Sequence, residues 1–161
     1  FTALHPQAVR AVATGGVNGM PIVPAEVWNG SIVPYHVGVG DIAELIGRRF
    51  DGCAYRSVSQ FIFMGETDDN DTLPYGDAYS EEERRIAREL LGESMAERWA
   101  RSQEIYAELD IPAQFVTYAG VGHGMNDVIS ADIVTFFRAN DARGFTPIEP
   151  SGATVDGLAE R

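Results

Sequence analysis

The sequence predicts an α/β domain built on a parallel sheet, with strands and capped helices alternating along the chain. Three observations carry that expectation. Three short runs, rich in β-branched or aromatic residues, each lead into glycine, as strands buried in a sheet do. Two capping boxes open amphipathic helices between the second and third of those runs. The polar residues suited to chemistry follow the runs directly, where an open parallel sheet presents its functional groups.

The first run, Val9-Arg10-Ala11-Val12-Ala13, leads to Gly15-Gly16. Residues 17–56 then break the alternation. They are rich in glycine, proline and aromatics, and only 41–48 have a helical pattern, so they read as a cap-like excursion over the top of the sheet. The second run, Ser59-Gln60-Phe61-Ile62-Phe63-Met64, ends at Gly65. Ser80-Glu81-Glu82-Glu83 is a capping box, followed by Ile86, Leu90 and Leu91 at helical spacing and stopped by Gly92. A second box, Ser94-Met95-Ala96-Glu97, opens a helix with Met95, Trp99, Ser102 and Tyr106 on one face and Ile105 and Leu109 beside it. The third run, Ala113-Gln114-Phe115-Val116-Thr117-Tyr118, leads to Gly120. The last helix is expected over 130–139, with Ile133, Phe136 and Phe137 as its apolar stripe. Residues 141–161 lack apolar periodicity and read as a tail that wraps the surface or frays. Helical crossovers between parallel strands should be right-handed.

Composition narrows the function classes. At 161 residues the chain is long enough for one core and too short to expect two. Net charge is −12, all 12 basic residues are arginine and lysine is absent, which argues against a nucleic-acid partner. Two readings of the acidity stand side by side. One is a G- and C-rich coding sequence that favours arginine; the other is a halophilic cytoplasm whose salt screens an acidic shell. No apolar run approaches the roughly 18 residues that would span a bilayer, so no membrane segment is expected. The single cysteine, Cys53, excludes an internal disulfide and a cysteine-based metal site, and is expected as a small buried hydrophobe.

Three parallel strands alone leave sheet faces and an inner edge uncovered. With Phe1 at what reads as a helix end, the chain is expected to be the C-terminal part of a larger domain, with residues 9–13 pairing a strand from outside this sequence.

Two polar segments follow strands. Gly65-Glu66-Thr67-Asp68-Asp69-Asn70-Asp71-Thr72-Leu73-Pro74 comes after the second, and Gly120-Val121-Gly122-His123-Gly124-Met125-Asn126-Asp127 after the third. The first on its own is a solvated acidic turn or a loop of hard oxygen ligands, although the spacing and terminal glutamate of an EF-hand are missing. The second on its own is a tight turn with an incidental histidine. Together they place an acid beyond one strand and a histidine beyond the next, with crossover helices between. A carboxylate there would fix the imidazole tautomer, and the imidazole would take a proton from a nucleophile and return it to a leaving group.

These residues resemble the α/β-hydrolase family. Gly65-Glu66-Thr67-Asp68 with Leu73-Pro74 is similar to its acid loop, Gly-x-x-Asp-x-x-Val-Pro, but with two extra residues before Leu-Pro. Tyr118-Ala119-Gly120-Val121-Gly122-His123-Gly124 resembles its histidine loop, Tyr-Pro-Gly-x-Gly-His-Gly. Asp132-Ile133-Val134-Thr135-Phe136-Phe137 resembles its C-terminal helix, and Leu4-His5-Pro6 with Val9-Arg10-Ala11-Val12 the segment after its nucleophile elbow. The likeness runs to about residue 140 and lies nearest to esterases, feruloyl esterases and polyhydroxybutyrate depolymerases.

The resemblance implies the C-terminal half of an α/β-hydrolase, a carboxylic ester hydrolase working through an acyl-enzyme without cofactor or metal. His123 would be its base and Asp68 its acid, with Asp71 and Asp69 as alternatives. Its serine would lie upstream, because no Gly-x-Ser-x-Gly elbow occurs here and Ser31, Ser57, Ser59 and Ser102 lack a strand-turn-helix context. The partners implied are an ester substrate, small or polymeric, and the N-terminal half of the same protein. His5 reads as structural. Trp28, Tyr35, His36 and Tyr75 are candidates for a substrate pocket or, equally, for packing the excursion onto the sheet. A non-catalytic relative that uses the same pocket for binding or assembly is the competing reading.

Overall fold

A computed structural model describes residues 1–75 and 78–141. The chain is mixed α/β. Strand β1 (Ala11–Gly15) is followed by a two-stranded ribbon, β2 (Val27–Trp28) and β3 (Ser31–Ile32), and by two short helices, α1 (Ile42–Ile46) and α2 (Gly52–Ser57). Then come β4 (Ser59–Gly65), α3 (Glu81–Leu91), α4 (Met95–Glu108), β5 (Ala113–Tyr118) and α5 (Asp127–Asp141). The main sheet has the order β1-β4-β5 with all strands parallel. Ala13 pairs with Phe61, and Ile62 with Phe115.

The central strand explains the layering. Every residue of β4 from Gln60 to Gly65 is buried, the pattern of a parallel strand covered on both faces. Side chains alternate across the pleat. Phe61 and Phe63 therefore turn to α5, where they cluster with Ile129, Ile133 and Phe136. Ile62 and Met64 turn the other way, onto Trp99 and Tyr106 of α4. A third cluster, with Val33, Val37, Leu73, Ile86 and Leu91, fastens the excursion to α3.

Both capping boxes form as the sequence predicts. Ser80 Oγ accepts from Glu83 N at 3.2 Å while Glu83 Oε2 accepts from Ser80 N at 2.6 Å. Ser94 and Glu97 repeat the exchange at 3.2 and 3.0 Å. The N–H groups of Ser94 and Glu93 hold the Glu97 carboxyl below its ordinary range. Ser94→Ala is expected to lower stability by about 1 kcal/mol, read as a shifted denaturation midpoint with an unchanged slope.

Several boundaries and environments differ from the sequence reading. β1 spans Ala11–Gly15 rather than 9–13, because Pro6–Ala8 forms a 3₁₀ turn and Val9 N closes it by donating to Pro6 O at 3.2 Å. α5 begins at Asp127, not at 130: Asn126 Oδ1 accepts from Ile129 N at 2.9 Å and caps the helix earlier. The helix expected over 41–48 is the shorter Ile42–Ile46, ended by Gly47 at φ +70°. Asp51 Oδ1 accepts from Ala54 N at 2.9 Å and starts α2, a helix the sequence reading did not include. Cys53 sits on the first turn of that helix and is exposed, which corrects the expectation of a buried residue. The expected tail lies outside the described residues from 142 onward.

Candidate active site

Because the strands are parallel, the carboxyl ends of β1, β4 and β5 lie side by side, and the loops leaving them meet. The acid loop and the histidine loop are sewn together by their backbones. Glu66 N donates to Tyr118 O and Thr67 N to Val121 O, both at 2.9 Å, and Gly120 N donates to Glu66 Oε2 at 2.8 Å. Gly65 makes this closeness possible, since a Cβ there would collide with the carbonyl oxygens of Val121 and Gly122.

On that stitched base, Asp68 Oδ2 lies 3.2 Å from His123 Nδ1 across 55 residues of sequence. The two side chains differ sharply in exposure: Asp68 is 3% exposed and His123 46%. Asp68 Oδ1 also accepts from Asn70 N at 3.1 Å, which fixes the carboxylate plane. A carboxylate in its ionised form only accepts, so this contact suits the ring tautomer with its proton on Nδ1. A buried carboxylate beside a half-exposed imidazole is an arrangement that can take up a proton from a neighbouring group.

A third loop completes the setting. Gly16, just past β1, has φ +64°, and a Cβ on it would stand 3.1 Å from His123 Cε1. The sequence reading treated Gly15-Gly16 as the end of a strand and missed this contact; the glycine pair after a strand was the available signal.

The structure separates the three candidate acids. Asp71 does not face the histidine. Its Oδ2 lies 2.7 Å from Arg98 Nη2, and its Oδ1 accepts from Leu73 N at 3.1 Å. Asp69 is exposed, and its backbone carbonyl accepts from Asp71 N at 2.8 Å. Asp68 alone of the three meets His123 among the described residues. Arg98, fully buried on α4, is a second residue the sequence reading passed over. As an arginine on the inward face of an amphipathic helix, it was visible as an anomaly.

The four pocket candidates part company. Tyr35 and His36 border a cavity of about 230 Å³ that Val12, Thr14 and Val17 extend to the carboxyl end of β1. His36 is tethered there by Glu83, whose Oε1 accepts from His36 N at 3.2 Å and lies 3.5 Å from Nδ1. Trp28 packs instead against the cluster of Val33 and Leu73, so its role is to hold the excursion down. Tyr75 is 86% exposed and stands out in solvent. His5 accompanies the N-terminal turn, stacked on Phe1 at 4.9 Å and beside Arg48.

A larger cavity, about 920 Å³, is at the other end of the sheet, bordered by Ser59, Ala113 and Asn140. Volume alone does not make it the site, because the oriented acid and base are at the opposite strand ends. Tyr118 crosses between β5 and α5, donating to Asp132 Oδ2 at 2.8 Å; burial and that carboxylate push its hydroxyl up to about 12. Among the described residues, no three of His, Cys, Asp and Glu gather as metal ligands, and no helix is long and apolar enough to cross a membrane. Among them, too, no hydroxyl or thiol hydrogen-bonds His123. Ser59 starts β4 and Ser102 is buried in α4, both away from the loops. No family of known proteins, no curated protein and no solved structure matches this chain.

Proposed function

We propose that this chain supplies the acid and base of a serine hydrolase, as the C-terminal half of an α/β-hydrolase domain acting on carboxylic esters. The observation that carries the reading is the 3.2 Å pairing of buried Asp68 with half-exposed His123 at the carboxyl ends of adjacent parallel strands. Acid before histidine is also the chain order of that family's triad.

In the reaction, His123 Nε2 removes the proton of a serine hydroxyl as its oxygen attacks the ester carbonyl. Asp68 stabilises the imidazolium that forms. The imidazolium then protonates the departing alkoxide, leaving an acyl-enzyme, and the same nitrogen activates the water that releases the acid. The serine would come from a strand paired to the open edge of β1, since β1 is hydrogen-bonded only to β4 among the described residues. Gly16 lies at that edge, against the ring that has to receive the proton.

The absence of a hydroxyl at Nε2 among the described residues favours one competing reading, a non-catalytic relative that binds partners through the open β1 edge and exposed Val134 and Phe137. A fluorophosphonate probe applied to the full-length protein separates the two. Covalent labelling of one serine, abolished by His123→Gln, is the expected result. No labelling together with no turnover across short and long acyl esters would overturn the hydrolase reading.

A further inference from the structure

We infer that Arg98 is a positioning residue that holds the acid loop and the loop after β1 in the arrangement that aligns Asp68 with His123. The catalytic part of this inference rests on the hydrolase reading; the alignment itself does not.

A guanidinium with 0% exposure must replace all its water, and an apolar side chain of similar size usually serves a core as well. Arg98 is instead held by three separate segments, through two hydrogen bonds and one ion pair whose nitrogen is not aligned for a hydrogen bond. Its Nε donates to Asn18 O at 2.9 Å, its Nη1 to Glu93 O at 2.8 Å, and its Nη2 lies 2.7 Å from Asp71 Oδ2. The planar fork fixes the directions of the two carbonyls it donates to, and its charge holds Asp71 at 2.7 Å.

The segments it joins are those that touch the histidine. Asn18 follows Gly16, whose missing Cβ accommodates the His123 ring, and Asp71 follows Asp68, which holds Nδ1. A second link reinforces the first: Asn18 Oδ1 accepts from Thr72 N at 3.2 Å and from Thr72 Oγ1 at 3.1 Å. Asn18 itself stands at φ 53°, a conformation that this crossing of bonds sustains. Next to it, Gly19 lies so close to α4 that a Cβ would collide with Met95 O. The two extra residues between Asp68 and Leu73-Pro74 thereby gain a purpose. They give the acid loop the length to place a second aspartate on Arg98, while the first remains with the histidine.

Asp71→Asn and Arg98→Lys, each checked for native circular dichroism, test the inference in the full-length protein. Two readouts are taken. The ¹⁵N shifts of the His123 ring report which nitrogen carries the proton, and steady-state kinetics with a p-nitrophenyl ester separate kcat from KM. In both variants the ring shifts should move from the Nδ1–H tautomer toward the mixture of a free imidazole. The kcat should fall about tenfold or more with KM within about twofold, as expected when a catalytic group is misaligned and substrate binding is left intact. Folded Asp71→Asn with parental ring shifts and parental kcat would overturn the inference, even if Arg98→Lys does not fold. Moved ring shifts in a protein that turns over no ester would uphold the positioning role and sink the hydrolase reading instead.

Discussion

His123→Ala is expected to reduce kcat for ester hydrolysis by about 10³ or more, with the fold unchanged. The size of the effect follows from what the ring does in the proposed reaction. Without Nε2, nothing in the described site takes the proton from the attacking hydroxyl, and nothing returns one to the leaving alkoxide. The fold should tolerate the substitution because the side chain is 46% exposed and its described polar partner is Asp68, itself still anchored by Asn70 N. The decisive comparison sets kcat beside the thermal midpoint. Parental turnover in folded His123→Ala would remove the histidine from the mechanism. A collapsed midpoint would show instead that the ring is a structural element.

Gly65→Ala should cost about 10² in kcat together with about 1–3 kcal/mol of stability. Gly65 ends the buried central strand, and the methyl group would be driven into the carbonyl oxygens of Val121 and Gly122. These are backbone atoms, which cannot rotate aside as a flexible side chain would. Relief requires the histidine loop to lift, which breaks the Thr67 N to Val121 O bond and lengthens the contact between Asp68 and His123. Gly52→Ala is the control. Gly52 lies in the first turn of α2, and a Cβ there would find only ordinary contacts at 3.6 Å or more, so alanine should be neutral or slightly stabilising. Urea denaturation and kcat measured on both variants test the contrast. Parental values in Gly65→Ala would show that the two loops are not rigidly stitched.

The elements most legible in the sequence were those written in a few adjacent residues. Ser80 and Ser94 with their glutamates announced α3 and α4, and the apolar runs ending at Gly65 and Tyr118 announced β4 and β5. Errors arose where a local signal had a competitor. Pro6 turned the chain before β1 and took Val9 N for its own turn, so the strand began later. Asp51 was passed over as a cap, and Cys53 consequently came out exposed on α2.

The site divides in the same way. That an acid and a histidine follow neighbouring strands could be read from order and punctuation, because a parallel sheet sends both loops to the same end. Spacing ranked the acids without separating them, since Asp68 fits the distance from Gly65 and Asp71 the distance from Leu73-Pro74. In the fold, buried Arg98 of α4 pairs with Asp71, and Asp68 lies against His123. Trp28 and Tyr75 were likewise plausible by residue type, but packing sends one into the core of the excursion and the other into solvent. By itself the sequence determined β4, β5, the capped helices α3 and α4 and the order of the acid and histidine loops, because hydrogen-bond caps and side-chain periodicity act over a few residues. Only the tertiary structure decided which carboxylate serves the histidine and that Gly16 faces its ring, because those choices depend on desolvation and close contact between segments far apart in the chain.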